Sequence, residues 1–273
     1  MRVRASAGAA SFHQRETLET HLRKARAHIE QLRDEALDTS QSARQKAARA
    51  RAARERAARV ARALALLPEA EATLERRKEP AAKARVSTTD PEARVMKMAD
   101  GGFRPALNVE VAADTATHLI VGVDVVNIGN DMGQLPPMLD QIEKRLGRLP
   151  KEMLVDGGFP SEGSLEAAHA RGVTLYAPVQ KPREPERDRY LPRARDSEAK
   201  AQWRERRGTP EAKDIYKQRG STAEWVNARL RRHSLSCFLV RGLDRARGVL
   251  VLAALAHNLF RVRTIKRQLA ARA

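Results

Sequence analysis

Lys151-Glu-Met-Leu-Val-Asp-Gly-Gly-Phe159 decides how the rest of the chain is read, because it is a short apolar run that ends in a carboxylate and two glycines. Met153, Leu154 and Val155 read as a buried strand with Asp156 at its C-terminal end, and Gly157-Gly158 frees the backbone to turn sharply. Ser161 follows as an N-cap for a helix from Glu162 to about Arg171, which Gly172 stops. Val173-Thr-Leu-Tyr-Ala-Pro-Val179 is then a second strand, so the stretch opens a β-α-β unit with a carboxylate at its mouth. In open α/β sheets the edge outside the carboxyl ends of the strands is where ligands are held and chemistry occurs. The same aspartate can do no more than cap a turn before the glycine pair, and position alone leaves both readings open.

Upstream, Leu107-Asn-Val-Glu-Val-Ala112 alternates like a half-buried strand and His118-Leu-Ile-Val-Gly-Val-Asp-Val-Val126 is a continuous apolar strand, with residues 114–117 as the hairpin turn between them. A helix over 135–146 follows, with Pro136-Pro137 in its first turn, Leu135, Met138, Leu139, Ile142 and Leu146 on one face, and Gly147 closing it. The order is β-β-α-β-α-β, an α/β arrangement. Downstream, residues 180–220 are charged, carry Pro182, Pro185, Pro192 and Pro210, and hold almost no aliphatic residues, which predicts an inserted or irregular segment. A cation-rich helix is expected over 221–232. The last helix, 243–270, is apolar enough in its first half to be buried against the sheet, while its tail with Arg261, Arg263, Lys266 and Arg267 leaves the core.

The first third reads as helical. Leu18, Leu22, Ala25, Ile29, Leu32 and Ala36 step by three and four, the stripe of an amphipathic helix or coiled-coil arm that needs a partner helix. After a break at Asp38-Thr-Ser-Gln-Ser42, eight cations from Arg44 to Arg62 are opposed only by Glu55 and point all around the axis. That distribution suits a solvated arm with non-specific phosphate affinity better than a helix that reads bases. The helix is expected to restart at Pro68 and to end before Pro80, making 11–83 a helical hairpin or three-helix insertion.

The charge balance, 52 Lys+Arg against 34 Asp+Glu, leaves +18. A polyanion is the expected partner, nucleic acid first and an anionic membrane surface second. Aromatics at 4% argue against a protein that stacks single-stranded bases on aromatic platforms, and a single cysteine excludes an internal disulfide and a thiolate zinc site. The N-terminus has no apolar secretory core, and a soluble cytoplasmic protein is expected.

If Asp156 is chemical it needs a second acid, and Glu224 is the best candidate, at the start of a helix beside several cations. Cutting or joining phosphodiesters calls for divalent metals, and hard Mg²⁺ takes carboxylate oxygens, so acids delivered from separate elements are the expected scaffold. Ser221-Thr-Ala-Glu224 also matches the S-x-x-E capping box, in which the glutamate only reaches back to the N-cap amide.

Val155-Asp-Gly-Gly-Phe159, Ala223-Glu-Trp-Val-Asn-Ala228, Phe238-Leu-Val-Arg-Gly-Leu243 and Ala256-His-Asn-Leu259, in this order, resemble motifs in the C-terminal half of bacterial insertion-sequence transposases of the DDE class. The resemblance implies an RNase H-like mixed sheet flanked by helices, with residues 84–273 as the catalytic core and 11–83 as a helical insertion. It further implies DNA transposition by strand cleavage and transfer with Mg²⁺ or Mn²⁺, acting as a homo-oligomer on element-end and target DNA, in a nucleoid-associated protein. By it Asp156 is the second acid of the triad and Glu224 the third, both catalytic and metal-binding, with Arg231 and His257 as neighbours. The family's first aspartate precedes a stretch like Arg2-Val-Arg-Ala-Ser-Ala7, so residues 1–10 are expected to lead out of a missing first strand, with activity impaired. Asp114 and Asp124 are the strand acids nearby, and Asp124 is mid-strand. The rival reading is a non-catalytic basic DNA-binding or structural protein built on the helical arm, and a weaker one is a metal-dependent nuclease of the same fold.

Overall fold

The computed structural model describes residues 1–35, 42–182, 187–233 and 235–272, and the chain divides into two compact units. One, the arm unit, comprises Arg2–Leu107 and Cys237–Ala246; the other, the site unit, comprises Met1, Asn108–Ser236 and Arg247–Ala273. Both together give a mixed α/β fold.

In the arm unit β1 (Arg2–Arg4) is followed by β2 (Phe12–His13), α1 (Arg15–Asp34), α2 (Ala43–Arg76), β3 (Val86–Ser87), β4 (Arg94–Lys97) and the first half of β5 (Phe103–Ala113). Residues 2–4, in the segment expected to lead out of a missing first strand, form a strand paired with β5, with Val3 buried and Arg4 exposed. The predicted stripe does find a partner helix. Leu18 packs with Ala63, Leu67, Ala84 and Val86 in one apolar cluster, and a two-pronged Arg15–Glu71 ion pair at 2.8 Å ties the two helices at the edge. The break at 38–42 falls outside the described residues except for Ser42, which caps α2 in a capping box with Gln45. Pro68 does not restart a helix as expected. α2 runs through it for 34 residues, since Leu67 and Ala63 are buried on the face that holds the helix in place.

Segment 237–246 returns to this unit, where Phe238 is buried and its N–H donates to Arg4 O. Asp90, fully buried, accepts from the N–H of Glu92 and of Gly242, and Glu92 accepts from the N–H of Leu243 while also pairing with Arg62. Two acids thus cap the start of the last helix, whose first amides are unsatisfied donors. Burial pushes the Asp90 carboxyl above its ordinary range, against the pull of the Gly242 and Glu92 amides, and its second oxygen has no hydrogen-bond partner. A raised acid pKa means that the protonated form favours folding and that stability falls as pH rises through the folded value. Asp90→Asn keeps one acceptor oxygen and removes the buried charge, so its urea midpoint at pH 7 should match or exceed that of the parent. Asp90→Ala leaves two amides unmet and should cost about 1–3 kcal/mol.

In the site unit the second half of β5 pairs antiparallel with β6 (Ile120–Val126), Glu110 opposite Asp124. The hairpin turn over 114–117 is as expected, held by Asp114, which accepts from the N–H and hydroxyl of Thr117. α3 (Leu135–Leu146) buries Leu135, Met138, Leu139 and Ile142 and ends at Gly147, also as expected. It lies close on β6 because Gly122 has no side chain; a Cβ there would run into Met138 Sδ and approach Ala112 and Ile142 at 3.3 and 3.4 Å. β7 (Glu152–Leu154), α4 (Glu162–Ala170, N-cap Ser161) and β8 (Thr174–Tyr176) form the β-α-β unit, with β7 and β8 parallel and Met153 opposite Leu175. These two strands make a sheet of their own and, among the described residues, pair with no other strand.

The segment read as irregular is mostly helical. α5 (Glu198–Gly208) and α6 (Pro210–Arg232) occupy it, joined at Thr209, which caps α6 with Pro210 in the first turn. Charge misled the reading, since Arg204 and Arg207 are buried and satisfied. Arg204 pairs with Asp196 at 2.6 Å and donates to Arg189 O, and Arg207 donates to Ala177 O and Ala212 O. Trp203 joins them in the core, donating to Ala177 O. α7 (Leu243–Ala270) buries Leu250, Ala254 and His257, but Leu252, Leu255 and Leu259 are exposed, so one face of its first half is covered rather than the whole.

Candidate active site

Asp156 stands two residues beyond β7, at its C-terminal end, with its side chain 57% exposed. Oδ1 accepts from the N–H of Gly157 at 2.7 Å and Oδ2 pairs with Arg219 Nη2 at 2.8 Å. One turn back along α6, the Tyr216 hydroxyl donates to Val155 O at 3.0 Å, and the Arg207 guanidinium lies 4.4 Å over the Tyr216 ring. Burial pushes the Tyr216 phenol above its usual range. α6 is therefore fixed against the strand end by two side chains three residues apart, one helical face. Neither was singled out in the sequence, because they fall in the segment read as irregular.

Glu224 is on the same helix, and the capping-box reading of it is overturned. α6 begins at Pro210, Ser221 is in mid-helix and donates to Gln218 O, and no N-cap exists there for Glu224 to serve. Its carboxylate is exposed and makes no hydrogen bond or ion pair among the described residues. At 1.5 Å per residue it lies about 12 Å along the axis from Tyr216. Its neighbour Trp225 is the anchor of this part of the helix. The indole packs on His118 at 4.8 Å and edge-to-face on His257 at 5.5 Å, with the guanidinium groups of Arg229 and Arg261 at 5.2 and 5.4 Å from its ring. His257 is buried, its Nε2 bonds His118 O at 2.9 Å, and burial holds its pKa below the usual value. It packs against α6 through the Trp225 ring, while Arg231 is exposed.

The other strand acids are committed elsewhere. Asp114 holds its turn, and Asp124 pairs with Arg247 at 2.8 Å. A group the sequence reading passed over lies behind the Asp156 loop. Asn108 donates to Glu110 at 2.7 Å and to Asp131 at 2.8 Å, bridging two carboxyls. Asp131 in turn abuts Gly158, where a Cβ would come 3.0 Å from Oδ2; this close approach is what the second glycine permits. Burial raises Glu110 to about 7, with the Asp131 and Asp124 carboxyls adding to the rise and the Met1 ammonium opposing it. The protonated form is favoured in the folded state, so the stabilisation is complete below pH 4.5 and is lost as pH rises through about 7. The unfolding free energy should fall by roughly 2–3 kcal/mol between pH 5 and 8 from this group, and Glu110→Gln should flatten that decline in urea titrations. A decline of the same size in the variant would assign it elsewhere.

Among the described residues no three His, Cys, Asp or Glu side chains are grouped to hold a metal ion. The two predicted acids nonetheless fit a hard divalent cation in donor type, since both offer carboxylate oxygens and both are exposed. Among the described residues Glu224 makes no hydrogen bond or ion pair, and Asp156 is held by a guanidinium and its own turn.

The chain matches the family model described as the transposase DDE domain over residues 75–259, two thirds of its length. It belongs to that family. The match takes in β7, α6 and both predicted acids. No curated protein and no solved structure matches the chain.

Proposed function

We propose that this chain carries out DNA transposition, cleaving DNA strands and transferring them with a divalent metal, on an RNase H-like core formed by residues 84–273 with 11–83 as a helical arm. The observation that carries the reading is the placement of Asp156. It is an exposed carboxylate at the C-terminal end of a strand in a parallel β-α-β unit, with the helix that bears Glu224 pinned to that strand end through Tyr216 and Arg219. Asp156 and Glu224 would hold Mg²⁺ or Mn²⁺. Bound there, the ion would activate the attacking oxygen and stabilise the leaving one. The chain's own part is to keep the Asp156 carboxylate oriented through the Gly157 amide and Arg219, and to hold α6 in place through Trp225. Its DNA partners are element ends and target, met by a strongly basic surface, and it works as a homo-oligomer on DNA. The exposed cations of α2, among them Arg44, Arg49, Arg51, Arg54 and Arg56, supply non-specific phosphate affinity.

Strand cleavage and transfer on element-end DNA with Mg²⁺ or Mn²⁺ tests the reading. Metal-dependent product that disappears in Asp156→Asn and in Glu224→Gln supports it. Salt-sensitive, metal-independent binding that ignores both substitutions and needs only the α2 cations would leave a basic DNA-binding protein, and cleavage without joined product would leave a nuclease.

A further inference from the structure

We infer that the groups gathered about Trp225, where α6 meets α7, form a binding site for a phosphate monoester, held between the guanidinium groups of Arg229 and Arg261. Each helix turns one pair of residues four apart toward the other, Trp225 and Arg229 on α6, His257 and Arg261 on α7, all within the site unit. The indole is their common point. Both guanidinium groups lie over it, at 5.2 and 5.4 Å, and His257 meets it edge-on at 5.5 Å. Where α6 ends, His233 stacks on Phe260 of α7 at 5.7 Å.

These cations have no carboxylate to answer them. Elsewhere in the unit arginines end on an acid, Arg204 on Asp196, Arg219 on Asp156 and Arg247 on Asp124. Among the described residues neither Arg229 nor Arg261 makes an ion pair. Arg261 donates through Nε to Thr117 O, which leaves its two Nη groups uncommitted, and the Arg229 guanidinium makes no hydrogen bond, with its Nε buried. Glu224, beside Trp225 in sequence, makes no ion pair either, and Asp114 is taken up by the N–H and hydroxyl of Thr117. A tryptophan face attracts a cation but offers its N–H groups no oxygen. His257 reflects the same imbalance. Burial is the main cause that holds its pKa down, and the positive charges of Arg229, His233 and Arg261 lower it further. Because a carbonyl only accepts, the Nε2 bound to His118 O carries the ring proton, and Nδ1 is buried without a partner. Partly buried charge and buried polar atoms are ordinarily met by an opposite charge or an ion. Here that charge has to come from outside the chain. A backbone phosphodiester presents two free oxygens and one charge, whereas a monoester presents three strong acceptor oxygens and nearly two charges. The monoester therefore reaches both guanidinium forks at once and balances them, whether it is the terminal phosphate of a nucleic-acid strand or free phosphate.

The inference stands apart from the catalytic reading and needs no metal, so its test is run in EDTA on the full chain freed of nucleic acid. The chain has two tryptophans, and fluorine-labelled tryptophan gives each its own NMR resonance, with the buried Trp203 as internal control. Inorganic phosphate should move the Trp225 resonance saturably and leave that of Trp203, while chloride at equal ionic strength moves neither. An oligonucleotide with a terminal phosphate should bind at least tenfold more tightly than the same strand without one if strand ends are the source; movement by inorganic phosphate alone assigns free phosphate. Arg229→Gln should weaken binding about tenfold or more, the scale of one lost charge-assisted hydrogen bond, with circular dichroism unchanged. Arg263→Gln, which removes an exposed charge on the far side of α7, should not weaken it. Should Arg229→Gln unfold, Arg229→Lys keeps the charge, loses the fork and should still weaken phosphate binding several-fold. No saturable movement with either phosphate probe, equal movement by chloride or by the unphosphorylated strand, or equal losses in Arg229→Gln and Arg263→Gln would overturn the proposal.

Discussion

Asp156→Asn should lower metal-dependent strand cleavage by at least ~10²–10³-fold, the scale seen when a charge aimed at a reacting centre is removed. The substitution is nearly isosteric. Its amide oxygen still accepts from the Gly157 N–H, and the lost pairing with Arg219 is at a surface where such pairs contribute at most about 1 kcal/mol. Thermal midpoint and salt-dependent DNA affinity should therefore stay near those of the parent, so that loss of product reads as loss of chemistry. Activity measured with Mg²⁺ and Mn²⁺ on end DNA decides it, and product formation that survives the change means that Asp156 serves only its turn.

Trp225→Ala should have the largest effect on stability. The ring is shared by His118, His257, Arg229 and Arg261, so its removal opens a gap among groups that come from β6's hairpin, α6 and α7 together. Truncating a fully buried tryptophan costs ~3–5 kcal/mol. Here, with the indole only partly covered, about 2–4 kcal/mol is expected, a drop of at least ~5 °C in Tm. Trp225→Phe keeps an aromatic face and should recover most of it. Because Glu224 is the preceding residue, activity should fall further than unfolding alone explains when assayed well below the midpoint. A Tm within a degree or so of the parent would show that α6 is held by Tyr216 and Arg219 instead.

The elements that were legible are those whose apolar period matches their burial. The β-α-β unit around Asp156, α3 with its proline start and glycine stop, the hairpin turn and the α1 stripe all follow from spacing and caps. α5 and the first half of α6 are not legible, because a charged stretch with four prolines and almost no aliphatic residues shows no apolar period. Arg204 and Arg207 are instead buried through bonds to an aspartate and to backbone carbonyls that no local pattern announces. Thr209-Pro210-Glu211 did carry a helix-start signal, and it was read as a break. Ser221 to Glu224 shows the converse error, a capping pattern inside a helix that had begun eleven residues earlier. The Asn108–Glu110–Asp131 group left one trace in the sequence, two polar residues two apart in an otherwise apolar strand, which places both on the same side of it.

The acids that cap the last helix reach across 152 and 151 positions of chain, from Asp90 to Gly242 and from Glu92 to Leu243. Closing loops of that size is slow and its entropy is met before any contact is gained. During synthesis, then, the first hundred residues emerge as an unfinished piece. They stay open to chaperones or to misjoining until Leu243 has cleared the ribosomal tunnel and the two carboxylates find the amides they await.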